Sequence, residues 1–191
     1  MYITVVETKD EIRKRLLRIR RSLSREKVLE MSREIKERLF DLPEYRYCKV
    51  VMFYIAHDNE VETRDMIAES LNNKKVLVPC TSLESNMIYP VEIENLENLE
   101  RGAFGILEPK NKKIYTRDID VVIVPGIAFD FRGYRIGYGK GFYDRFLRSA
   151  NALKIGIAYD FQIVKQIPED DGDVPVDIIV SEKRVLFCRK I

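Results

Sequence analysis

The sequence predicts one α/β domain over residues 1–191, a single-domain three-layer sandwich whose mainly parallel sheet is covered by helices on both faces. Three observations predict it. Short apolar runs rich in β-branched residues recur at Cys48–Ile55, Lys75–Pro79, Asp120–Val124, Lys154–Ala158 and Val176–Val180, and such continuous runs mark strands buried on both faces. Helical patterns of about ten residues alternate with them, the order of a sheet wound with right-handed crossovers. The 191 residues, 46 % apolar and 34 % charged, suit one core that buries roughly 70 % of the unfolded surface.

Charge and cysteine content narrow the function classes. The 33 basic and 31 acidic residues leave a net charge of +2, so whole-molecule attraction to nucleic acid or membrane is weak and any anion site is local. Cys48, Cys80 and Cys188 show no CxxC spacing; they read as reduced thiols, expected of a cytoplasmic protein. The opening MYITVVETKDE lacks a basic segment before a long apolar stretch, and no window reaches the ~18 apolar residues of a membrane span.

Taken in order, Thr8-Lys9-Asp10-Glu11 fits a capping box that starts a helix running to about Leu23, with Ile12, Leu16, Ile19 and Leu23 as its core stripe. Lys9, Arg13, Leu17 and Arg20 share another face, which spacing alone favours as a solvated basic face. Ser24 caps a second helix to about Phe40, which Pro43 stops. After the Cys48–Ile55 strand, the polar loop from Ala56 to Thr63 falls at a strand's carboxyl end, where open α/β sheets bind ligands; Thr63 is expected to cap a helix to about Leu71. MIYPVEI alternates like an edge strand carrying Pro90, and ENLENLERG reads as a short helix stopped by Gly102.

The stretch DVVIVPGIAFDFRGYRIGYGKGFYDRFL, Asp120–Leu147, carries the chemistry: strand, glycine loop, helix. It is neither standard phosphate motif. Counting from Gly137, the sixth place of a Rossmann fingerprint is Phe142; Gly139-Lys140 is followed by Gly141 where a Walker loop needs Ser or Thr. Alternating Gly137, Gly139 and Gly141 nevertheless let backbone N–H groups approach an anion ahead of a helix N-terminus, and Lys140 adds a point charge. A plain turn remains the alternative for a lone GxGxG. Arg135, Tyr143 and Asp144 lie close by, and an acid beside a phosphate cradle is the usual way to hold Mg²⁺; a first-turn acid matching the helix dipole is the other reading of Asp144.

The segment Val124–Asp144, together with KxxIR at Lys9–Arg13, NEVET around Glu60, Gln162 in AYDFQ and VPVD ending at Asp177, resembles the 5-formyltetrahydrofolate cyclo-ligase family over nearly the whole chain. The resemblance implies ATP-dependent cyclisation of 5-formyltetrahydrofolate to 5,10-methenyltetrahydrofolate with release of ADP and phosphate, through a phosphorylated formyl (imino-phosphate) intermediate. It implies an ATP site of Lys9, Asp10, Glu11, Ile12, Arg13, Arg135, Ile136, Gly137, Tyr138, Gly139, Lys140, Gly141, Phe142 and Tyr143, and so replaces the solvated face. Within that set Lys140, Arg135 and Tyr143 are implied as catalytic. Ile55 and Glu60 are implied to bind the folate, and Asp144 and Asp177 to hold Mg²⁺. The implied partners are ATP and 5-formyltetrahydrofolate, with no nucleic acid, no membrane and a monomeric state. Two departures stand out: Gly172 where many relatives carry His, and Lys140 where glycine is frequent. Rival readings are a sugar-phosphate or CoA enzyme on a similar sheet and an RNA-binding module using the basic first helix.

Overall fold

The structure is a computed structural model that describes residues 7–102 and 105–188. Helix α1 spans Lys9–Arg21 behind the expected capping box, in which the Thr8 amide donates to Glu11 Oε2 at 2.8 Å and the Glu11 amide donates to Thr8 Oγ1 at 3.3 Å. Ser24 caps α2, Arg25–Asp41. Pro43 does not simply stop the chain: it occupies the first turn of a short helix α3, Pro43–Arg46, where its missing N–H costs nothing.

The main sheet has seven strands in the order β12-β11-β9-β6-β1-β2-β3. Its parallel centre is β11 (Ile178–Val180), β9 (Leu153–Ile157), β6 (Val121–Val124), β1 (Val50–Met52) and β2 (Lys75–Ser82). Antiparallel β3 (Met87–Ile93) and β12 (Val185–Phe187) form the edges. Alternate residues of the apolar runs go to opposite faces. Val51, Val76, Ile123, Ile155 and Val180 pack with Met31, Ile35 and Leu39 of α2 and with Met66 and Ile67 of α4 (Arg64–Ser70). Met52, Leu77, Val122, Val124 and Ile179 pack with Phe146 and Leu147 of α5 (Phe142–Ser149). The expected three layers are therefore present, each apolar run filling both.

Some elements depart from expectation. ENLENLERG is not a helix beyond one 3-10 turn at Leu96–Asn98; its Leu99–Arg101 stretch pairs instead as β4 with β5 (Leu107–Pro109). Thr63 makes no side-chain cap, because its hydroxyl donates to the Tyr54 carbonyl at 2.7 Å. A small sheet β10-β7-β8 (Ile163–Val164, Ala128–Asp130, Arg135–Ile136), unseen in the sequence because its strands are so short, receives α1. Ile12 and Leu16 pack there on Ile127, Ala128 and Ile136, whereas Ile19 is 40 % exposed.

The chain winds outward from β1 to β2 on one side and from β6 through β9 to β11 on the other. Strand order thus reverses between β1 and β6, the place where such sheets open a crevice at the strands' carboxyl ends. Buried Gln162 braces this edge, donating to the carbonyls of Gly126 at 3.0 Å and Ile127 at 2.9 Å while accepting the Tyr159 amide.

The β7–β8 turn is fixed by Gly133, at φ +90°, where an added Cβ would sit 2.2 Å from the Val176 carbonyl oxygen. Positive φ in a non-glycine residue costs about 1–3 kcal/mol before any overlap. Gly133→Ala is therefore expected to lower the thermal midpoint by more than about 4 °C; an unchanged midpoint in differential scanning calorimetry would show that the turn relaxes freely.

Candidate active site

The glycine loop joins β8 to α5. Gly139 and Gly141 hold φ of +88° and +68°, and Gly141 is the N-cap of α5 without any side-chain cap bond. Glycine tolerates this left-handed path, so the helix begins with its first-turn amides on the loop side. Lys140 is exposed, and no ion pair or hydrogen bond of its ammonium is formed among the described residues.

Helix α1 forms the opposite wall. Arg13 Nε donates to the Gly137 carbonyl at 2.9 Å, its guanidinium also pairs with Asp10, and its Nη2 lies beside Gly139. One turn earlier, Lys9 Nζ is 2.7 Å from Asp170 Oδ2 and 2.5 Å from Asp173 Oδ2. Burial works against the Lys9 charge, but these two carboxylates outweigh it and raise its pKa above the ordinary lysine value. The face that spacing reads as solvated is thus docked on the loop. Glu11 is occupied by the capping box, and the side chains of Ile12 and Ile136 belong to the core. Any ligand contact at those positions is left to backbone.

Behind the loop, buried Arg135 Nη1 donates to Asp144 Oδ1 at 2.9 Å and to the Val174 carbonyl at 3.1 Å, and its guanidinium lies over the Tyr143 ring. The Val174 amide also donates to Asp144 Oδ1. Asp144 is thereby oriented while a quarter of its side chain stays exposed. Asp177, the second acid implied to hold the metal, lies just before β11, where its Oδ2 accepts the Lys154 amide at 2.9 Å. Among the described residues no group of three or more His, Cys, Asp or Glu side chains is placed to hold a metal. Mg²⁺ uses one or two carboxylates with substrate phosphate oxygens rather than an all-protein cage, so Asp144 fits as its protein donor.

On the other side of the crevice the loop after β1 turns through left-handed Asp58 and Asn59, at φ 49° and 57°. Asn59 Nδ2 donates to the carbonyls of Arg20 and Leu23, tying the loop to the end of α1. This brings in a residue that spacing had placed on the basic face. Arg20 is 1 % exposed, with Nη2 bonded to the Tyr138 hydroxyl and 3.6 Å from Asp58 Oδ2, and Nη1 3.9 Å from Glu60 Oε1. Glu60 accepts the His57 amide at 3.0 Å, and its backbone carbonyl receives the Tyr159 hydroxyl. Burial pushes the Glu60 carboxyl up to about 7 despite Arg20 and the His57 amide, which pull it down. The Tyr143 hydroxyl is buried without a hydrogen-bond partner among the described residues, and Ile55 lies in the core at the loop's start. Sequence reasoning placed the loop acids Asp58, Glu60 and Glu62 where a site could be but missed Arg20, Asp170 and Asp173; the seven-residue step from Arg13 to Arg20, two helical turns, was the available signal.

Comparison with known proteins shows the family of the chain. The model of the 5-formyltetrahydrofolate cyclo-ligase family matches residues 5–182. The chain belongs to that family. Among cyclo-ligase relatives, a probable 5-formyltetrahydrofolate cyclo-ligase of Schizosaccharomyces pombe is 33 % identical over 172 residues, covering 80 % of this chain and 84 % of that protein. The Haemophilus influenzae 5-formyltetrahydrofolate cyclo-ligase is 29 % identical over 185 residues, covering 92 % and 98 %. The solved structure of Aquifex aeolicus 5,10-methenyltetrahydrofolate synthetase superposes with a TM-score of 0.85 at 38 % identity, covering 96 % of this chain and 94 % of that one. No helix among the described residues of this cyclo-ligase family member is long and apolar enough to cross a membrane.

Glu60 also makes a stability prediction. An acid whose folded pKa is raised loses stability as pH climbs from its unfolded value of 4.5 through about 7, because the unfolded chain ionises first. Glu60→Gln removes that dependence. Its thermal midpoint relative to the parent is expected to become more favourable between pH 5 and pH 8; a constant difference would contradict the buried-carboxylate account.

Proposed function

We propose that the protein is an ATP-dependent ligase that cyclises 5-formyltetrahydrofolate to 5,10-methenyltetrahydrofolate, releasing ADP and phosphate. The observation that carries this reading is the match to the family over residues 5–182, joined to α1 cations that contact both the glycine loop and the Glu60 carboxylate.

In this reading the triphosphate lies along the loop from Gly137 to Tyr143, with first-turn amides of α5 and Lys140 as donors. Arg13 is already held against the loop, and Lys9 exchanges Asp170 and Asp173 for phosphate oxygens. Asp144 holds Mg²⁺, which when bound neutralises phosphate charge during transfer. Asp177, anchored at β9, steadies the 174–177 segment whose Val174 amide orients Asp144. Arg135 fixes Asp144 and Tyr143 from behind.

An amide oxygen is a poor leaving group, so ring closure needs activation. The formyl oxygen attacks the γ-phosphorus, the β–γ oxygen leaves with ADP, and the formyl carbon becomes an imino-phosphate. Folate N10 then attacks that carbon, and expulsion of phosphate, which carries away the N10 proton, gives the cyclic methenyl cation. Glu60, ionised above about pH 7, accepts from the N–H edge of the pterin and sets the ring's orientation. The remaining work is positioning and charge neutralisation, as expected of phosphoryl transfer. A cytoplasmic, monomeric protein completes the reading.

The RNA-binding alternative requires a free cationic face on α1. Of the six basic residues from Arg13 to Arg21, Arg13, Arg15 and Arg21 are paired with Asp10, Glu7 and Asp58 and Arg20 is buried, which leaves Lys14 and Arg18 exposed without an ion pair among the described residues. That neutralisation favours the ligase.

The test is absorbance detection of methenyltetrahydrofolate formation from purified protein, Mg-ATP and 5-formyltetrahydrofolate. Product is expected, and its absence with folded protein contradicts the proposal. Asp144→Asn, which keeps shape and an acceptor for the Val174 amide, is expected to lower kcat/KM for Mg-ATP on the order of 10²-fold with an unchanged thermal midpoint; wild-type kinetics would remove Asp144 from the metal role.

A further inference from the structure

Arg20 is among the largest fully buried side chains of the described residues, yet its Nε and Nη1 have no hydrogen-bond partner among them. A buried, under-bonded guanidinium is costly, and such groups are retained where their field has a use. Everything charged around it belongs to one constellation. Glu60 Oε1 and Asp58 Oδ2 stand 3.9 and 3.6 Å away on the loop after β1, and the Tyr138 hydroxyl is bonded to Arg20 Nη2 from the glycine loop. The Tyr138 hydroxyl also reaches Asp58 Oδ2 at 3.4 Å, and the Arg20 carbonyl anchors Asn59 at 3.3 Å. Asp58 has a second, exposed cation in Arg21 at 2.8 Å, so Arg20 is the only cation within ion-pair distance of Glu60 among the described residues.

We infer that Arg20 is the positioning residue of the folate side: it does not touch substrate but favours the ionised form of Glu60 and orients its carboxylate, while Tyr138 links that carboxylate's loop to the glycine loop. The inference rests on the reading of Glu60 as the folate-binding acid.

The groups that face Glu60 are Arg20 from α1, Asp58 and the His57 amide from its own loop, and the hydroxyls of Tyr54, Tyr138, Tyr143 and Tyr159. Arg20 is the one cation in that set. Asp58 opposes ionisation, and all four tyrosines are pushed above their ordinary values and stay neutral. Without Arg20, burial and Asp58 act unopposed except by the His57 amide, so the Glu60 titration must move to higher pH.

The experiment follows the Glu60 carboxyl by ¹³C NMR in ligand-free protein labelled at the glutamate δ-carbon, its resonance assigned by loss in Glu60→Gln. The wild type is expected to titrate near 7. Arg20→Met is expected to move that midpoint up by about one unit or more, and Arg20→Lys, which keeps the charge, to restore most of the shift. A folded Arg20→Met protein with the wild-type midpoint overturns the inference. Should Arg20→Met not fold, Arg20→Gln, which retains a donor for Tyr138, makes the same comparison. Calorimetric binding of 5-formyltetrahydrofolate supplies the functional arm. In the neutral variants its acid limb moves to higher pH with the Glu60 midpoint, whereas a merely structural loss lowers affinity equally at every pH and counts against the inference. Wild-type protein that fails to bind 5-formyltetrahydrofolate contradicts the proposed function, and the Glu60 titration still decides the Arg20–Glu60 relation by itself.

Discussion

The site depends on one docking interaction, the seating of α1 on the glycine loop. Arg13 Nε bonds the Gly137 carbonyl and Arg20 bonds the Tyr138 hydroxyl, while Ile12 and Leu16 supply apolar contact with the small sheet beneath. A helix held only by these two polar contacts would be marginal, since each hydrogen bond to a charged group contributes about 1.5–3 kcal/mol at most. Burial of Ile12 and Leu16 fixes the helix, and the arginines take their register from it. Lys9, Arg13 and Arg20 then stand along one face, so in the proposed function a single helix serves both the phosphate end and the folate end of the site.

The same arrangement concentrates cost. Glu60 and Arg20 are both taken largely out of water, and their separation of 3.9 Å leaves the attraction short of a bonded salt bridge. A core built for stability alone would replace them with apolar side chains. They are kept beside a buried Tyr143 hydroxyl that has no hydrogen-bond partner among the described residues, and local departures of this kind cluster at functional sites. The balance between burial and Arg20 sets Glu60 close to neutrality, where a small change in the surrounding charge alters its state.

Much of this was legible in the sequence, and the reasons are local. The Thr8–Glu11 box, the Ser24 cap and the five parallel strands each rest on a short-range rule that tertiary structure did not override. ENLENLERG misled because its leucines, spaced three apart as on a helix, pack on the main core from a 3-10 turn and from a strand that pairs with Leu107–Pro109. The β7–β8–β10 sheet was invisible, its strands being two or three residues long. At the site, the glycine loop and Asp144 were readable as chemistry, but the α1 face was not. Lys9, Arg13 and Arg20 have the spacing of a solvated stripe, and only contacts more than a hundred residues away in sequence, to Gly137, Tyr138 and Asp173, turn that stripe inward.

The central claim, that α1 is a wall of the nucleotide site, is tested most directly by calorimetric binding of a non-hydrolysable ATP analogue with Mg²⁺ to wild-type and Arg13→Gln protein. The account predicts that the variant binds the analogue about tenfold or more weakly, with its thermal midpoint and its affinity for 5-formyltetrahydrofolate retained. Equal nucleotide affinity in the two proteins would contradict it.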